Sequence, residues 1–175
     1  NFEEAVSLVL EAMLQSPRFL YRVEGQVGDG TVWPISQYEL ASRVSYILWG
    51  APPDKELFRA ADRGELADPE QFQRQVDRLL DHPLAIARSR QFVSEWLNLD
   101  RLANMRPSDE KFPNWDAQLA VDMRDETLQF FEEIVWNENR PLSHLLNAQF
   151  TFLTPELAEH YRLQAVDGVR ASDSQ

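Results

Sequence analysis

Apolar side chains recur three and four positions apart through nearly the whole chain, the spacing of an amphipathic α-helix. Phe2, Val6, Val9 or Leu10, and Met13 trace the first stripe, which stops before Pro17. Ser16-Pro17 reads as an N-cap and first-turn pair opening a short helix through Phe19, Leu20 and Tyr21. Residues 25–35 (GQVGDGTVWPI) concentrate glycine around Pro34 and predict a loop. Ser36 and Glu39 then form a capping box, in which each side chain satisfies the other residue's free N–H. The helix they open aligns Leu40, Val44, Ile47 and Leu48 and is stopped by Pro52 and Pro53. Leu57, Phe58 and Ala61 mark a shorter helix closed at Gly64.

Asp68-Pro69, with Gln71 in the capping-box position, restarts the pattern, and Phe72, Val76, Leu79 and Leu80 form its stripe. Pro83 begins a further helix, for which Ala85, Phe92, Val93, Trp96 and Leu97 are the expected buried side. The longest helix is expected over roughly 115–138, carrying Leu119, Met123, Phe130, Phe131, Ile134 and Val135. After Pro141 come helical turns with Leu142, Leu145 and Leu146. Thr154-Pro155 caps a last helix through Leu157, Ala158 and Tyr161. The prediction is an all-α fold, an irregular bundle of about seven to eight helices with short linkers. Only 149–153, where polar and apolar side chains alternate, reads as a short extended segment.

Composition agrees with a folded domain: hydrophobic residues make up 43% and charged residues 26% of the 175 positions. The absence of cysteine excludes disulfides, thiolate metal sites and a C-x-x-C-H haem attachment within the chain. A net charge of −12 argues against a broad phosphate-binding surface and so against nucleic acid as partner. No apolar run approaches the ~18 residues of a membrane span. The chain opens on Asn1 in a helical pattern and ends in the polar run QAVDGVRASDSQ, so it is expected to be part of a longer polypeptide.

The chemistry-bearing residues are few. Glu156 and His160 share one helix at i, i+4, the spacing of a ligand pair, but no E-x-x-H or H-E-x-x-H run accompanies them. His82 stands before Pro83, where capping or solvent exposure is expected, and His144 lies on a Leu-rich turn. No metal site and no cofactor is expected in this segment. Asp122, Asp125, Glu126, Glu132 and Glu133 fall on one broad side of the long helix. That side is either a solvated face or a docking surface for a basic partner.

Arg74, Arg78, Arg88 and Arg90 are interleaved with Asp77 and Asp81, which favours intramolecular ion pairs over a nucleic-acid patch. Arg43, among Ala41, Ser42, Val44 and Ser45, reads as a partly buried structural tie or as an anchor for a carboxylate on a neighbouring domain. Trp96 is placed in the core. Trp33 and Trp49, beside proline turns, are placed over helix ends or against a partner.

The stretches AMLQSPRFLYRVE, YELASRVSYILWGAPPDKEL, FVSEWLNLD, RDETLQFFEEIV and FTFLTPELAEHY occur in this order. The series resembles a planctomycete family of secreted, cytochrome-associated multidomain proteins, and most of all its central domain of unknown function. The resemblance implies residues 1–24 as the last helices of a preceding domain, 25–35 as linker, 36–163 as the helical domain and 164–175 as a polar tail toward the next domain. It implies an exported location, periplasmic or extracellular, with neighbouring domains of the same polypeptide as partners. A haem domain would be among these, and any c-type haem would lie elsewhere in the parent protein.

The sequence departs from the family pattern at Thr154, where Asn is commoner, and at Arg162, where Gly often stands. Arg at that place puts a left-handed helix end in doubt. Two functions follow as expectations. One is a non-catalytic scaffold or interaction domain of a larger redox protein. The other is part of an enzyme whose active site neighbouring domains complete, with Arg43, Glu156 and His160 contributing.

Overall fold

The computed structural model describes residues 1–21 and 34–163, and those residues are helical with no strand. The expected extended piece at 149–153 is irregular, because no second strand is present to pair with it. Most of the 25–35 loop, including Trp33, and all of 164–175 lie outside the described residues. Eight α-helices follow one another: α1 Phe2–Leu14, α2 Pro17–Leu20, α3 Gln37–Leu48, α4 Lys55–Asp62, α5 Pro69–Leu80, α6 Pro83–Trp96, α7 Ala117–Glu132 and α8 Pro155–His160. Short 3₁₀ turns cover Glu65–Ala67, Leu99–Asn104 and Leu142–Leu146, and one π turn, Glu133–Asn137, extends α7.

The starts and stops follow the side chains that cap them. Ser36 and Glu39 exchange side-chain-to-backbone bonds of 2.7 and 3.2 Å. Asp54, Asp68 and Asp116 each accept the N–H three residues on, at 2.9, 2.9 and 2.7 Å. His82 caps α6 through Nδ1, which accepts from Leu84 N at 3.2 Å. Gly64 closes α4 at φ 71°, a left-handed turn that glycine adopts without steric cost.

The contacts divide into two compact units. The first takes the described residues of Asn1–Ile47 and Ala51–Gln75, the second those of Leu48–Gly50 and Val76–Gln175. The core of the first unit is small-grained: Ala41, Ser45, Leu57, Ala60, Ala61 and Leu66 are buried. In α3 the buried positions are thus Ala41 and Ser45, while Ile47 of the expected stripe faces solvent. The buried Ser45 hydroxyl is satisfied by donating to Ala51 O at 2.8 Å. Tyr38 packs on Phe58 and donates to the Asp62 carboxylate. Helix α1 is well capped by Asn1 yet buries none of its residues, and Phe2 remains 82% exposed.

The second unit is built on α7, with Leu119, Ala120, Leu128, Ile134 and, from α8, Leu157 buried. Each such large side chain contributes roughly 1.5–3 kcal/mol on leaving water. Helix α6 adds Ala85 and Val93 to this core, but Phe92, Trp96 and Leu97 are exposed, contrary to expectation. Two rows run along α6, Leu84–Arg88–Phe92–Trp96 and Ala85–Ser89–Val93. The row of smaller residues faces inward, where the Trp136 indole N–H donates to Ser89 Oγ at 2.8 Å. Among the described residues Trp49 is buried, Trp115 and Trp136 are half-buried and Trp96 is exposed.

Candidate functional site

The polar side chains of the second unit converge along α7. Asp122, only 8% exposed, accepts from Gln118 Nε2 at 2.8 Å and from the Thr154 hydroxyl at 2.6 Å. One turn on, Glu126 accepts from the Thr151 hydroxyl and from Tyr161 Oη at 2.9 Å. Three hydroxyls from 151–161 therefore point at two carboxylates spaced i, i+4, and Leu157 fills the apolar space between the segments. Burial, and then the bond to Glu126, push the Tyr161 hydroxyl up to about 12, since its anion would sit partly desolvated beside a carboxylate.

Farther along the helix, Glu132 pairs with Arg90 of α6, and Glu133 accepts from Asn137 Nδ2 at 2.7 Å. Asp125 lies 3.4 Å from Arg124, whose Nε is also 3.4 Å from Asp100. Of these five acids Asp122 is buried and the other four are half-buried, the Asp125 side chain keeping 44% of its surface in solvent. Asp122, Glu126 and Glu132 join the helix to neighbouring segments, while Glu133 and Asp125 bond within their own stretch of chain. The expected ion pairing of the α5–α6 arginines is present at Arg90.

Trp49 is buried rather than free for a partner. Its indole N–H donates to Leu79 O at 2.7 Å, satisfying a carbonyl in the last turn of α5. The His82 ring lies 4.7 Å from it and the Arg78 guanidinium 5.9 Å. Arg43 is exposed on α3 and does not line either of the two cavities of the second unit.

Glu156 and His160 do come together. They border a concavity of about 380 Å³ with Asn114, Asp116, Gln118 and Glu159. His160 stacks against Phe112 at 6.5 Å and meets Tyr161 edge-on at 5.7 Å. Among the described residues, no group of three or more His, Asp or Glu is arranged to hold a metal ion. A second cavity, of about 390 Å³, lies among α6, the Leu99–Asn104 turn and α7.

The surface carries one feature that pattern reading assigned to the interior. Phe92 and Trp96 stack at 6.2 Å with planes 17° apart, 56% and 69% exposed, and Leu97 lies next to them, also exposed. Their i, i+4 spacing made the pair visible in the sequence. Which of two apolar rows faces inward depends on the neighbours, and spacing does not encode that. Among the described residues no helix is long and apolar enough to cross a membrane. Helix α8 ends with Arg162 at φ 55°, so the left-handed end is adopted without glycine. Leu163 N bonds to Ala158 O and Arg162 N to Glu159 O, both at 2.9 Å, the paired bonds of a Schellman end.

No curated protein and no solved structure matches the chain. Residues 35–163 match the family described as PSD4, protein of unknown function (DUF1592), and the chain belongs to that family.

Proposed function

We propose that this domain is a helical scaffold and interaction module of a larger exported bacterial redox protein of the cytochrome-associated kind. Its partners are neighbouring domains of the same polypeptide, a haem domain among them. The observation that carries this reading is the exposed Phe92–Trp96 stack with Leu97. Aromatic side chains held rigid on a helix supply large contact area at low entropic cost, which is why they anchor interfaces. The bare apolar side of α1, outside the family-matched residues, supports a neighbour as well. Because the α7 acids are engaged within the domain, docking rests on apolar contact rather than on that acidic helix.

The test is a titration of the domain with the haem-containing region of its parent polypeptide at low and high salt. Saturable binding that changes little with salt is expected, and Phe92→Ser with Trp96→Ser should abolish it without lowering the melting temperature. Absence of binding at either salt would sink the proposal. Binding that salt abolishes and the two substitutions spare would move the interface elsewhere.

A second reading, an active site completed by a neighbouring domain, draws support from His160 beside Glu156, Glu159 and Asp116 in one concavity. A structure of the parent protein is its test. A neighbouring domain closing over His160 would favour it, and open solvent there would end it.

A further inference from the structure

The cavity among α6, the Leu99–Asn104 turn and α7 is lined by both signs of charge. Arg124 and Asp100 face each other at 3.4 Å across its lining, with Asp100 75% exposed. This pair is long and wet, and such pairs contribute little to stability, so it opens at low cost. Beside it, Ser94 Oγ donates to Asp100 at 3.3 Å, and Glu95, which accepts from Gln91 Nε2 at 2.8 Å, lines the same cavity. Leu128, buried, and Ala87 supply the apolar part of the wall.

The net charge of −12 repels small anions, and the two guanidiniums of the lining, Arg90 and Arg124, repel small cations. A molecule carrying both charges meets neither objection. We infer that this cavity binds a small zwitterion of the α-amino-acid class. Its carboxylate replaces Asp100 on the planar donors of Arg124, while its ammonium is shared by Asp100 and Glu95. Arg124 keeps Asp125 at 3.4 Å throughout, the exchange leaves every charge beside an opposite one, and an aliphatic side chain lies against Leu128 and Ala87. The volume of about 390 Å³ accommodates a residue of leucine size.

The experiment is a two-dimensional amide NMR titration of the whole chain with L-leucine up to about 10 mM, a range that reveals even millimolar affinity. Parallel titrations use 4-methylpentanoate, which keeps only the carboxylate, and 3-methylbutylamine, which keeps only the ammonium. Saturable leucine shifts at Ser94, Glu95, Asp100 and Arg124 are expected, with both single-charge analogues weaker by roughly tenfold or more. Arg124→Gln and Glu95→Gln are each expected to weaken leucine by a similar factor with an unchanged amide spectrum elsewhere. No saturable shift, equal response to all three probes, or shifts mapping away from this cavity would overturn the inference.

Discussion

The Thr154 hydroxyl donates to the buried Asp122 carboxylate at 2.6 Å while its oxygen accepts the Leu157 N–H at 3.2 Å. One side chain therefore starts α8 and fastens it to α7. Thr154→Val keeps the shape but loses both bonds, and is expected to destabilise the chain by about 1–3 kcal/mol. Thr154→Asn retains a cap acceptor and brings amide donors for Asp122, so it should fall between Val and the parent. Urea denaturation followed by helical circular dichroism measures both, and a Val variant as stable as the parent would show that the two bonds add nothing net.

Tyr161 gives the fold an alkaline sensitivity. Its folded-state value of about 12 lies above the ordinary 10.0, so the folded chain holds that proton more tightly than the unfolded chain does. The corresponding stability is fully present below pH 10 and is lost as pH rises toward 12. Tyr161→Phe removes the ionising group, and its stability is expected to fall less steeply over that window. Denaturation midpoints collected between pH 9 and pH 12 decide the matter; parallel curves for the two proteins would count against it.

Arg162 stands at φ 55°, where a Cβ crowds the backbone. Arg162→Gly is therefore expected to stabilise the chain by about 0.5–1 kcal/mol, the relief of strain exceeding the added freedom of the unfolded chain. A shift of the denaturation midpoint upward at constant slope would confirm it. An unchanged or lower midpoint would mean that the arginine side chain makes up for its backbone.

The two tryptophans that the pattern placed on opposite sides offer a direct contrast. Trp49→Phe removes the shorter of two hydrogen bonds to Leu79 O, which keeps the His82 N–H at 3.3 Å, and is expected to cost about 0.5–1.5 kcal/mol. Trp96→Ala, at an exposed position, should stay within about 0.5 kcal/mol of the parent. Thermal unfolding of the pair tests both values, and a large loss for Trp96→Ala would place that ring against structure rather than solvent.

Much of this fold was legible in the order of residues. Helix positions, the capping box at Ser36 and Glu39, the cap at Thr154 and the stop at Gly64 are local, since each depends on groups within four positions of one another. For Trp49 the proline turn left a helix end and a partner both open, and the contact with Leu79 O chose the end of α5. The family, too, was approached through short stretches read in order. What local pattern did not decide was the choice between faces. In α6 the row of small residues turned inward because Ser89 admits the Trp136 indole, leaving Phe92 and Trp96 outside. In α7 hydroxyls from 151–161 reached Asp122 and Glu126 and tied two of the carboxylates into the fold. Partners tens of residues away fixed both outcomes, and no periodicity records them. The sequence by itself determined where helices begin, end and carry charge. The tertiary structure alone decided which face is buried and which acids are bound, because burial and hydrogen-bond partnership belong to pairs of segments.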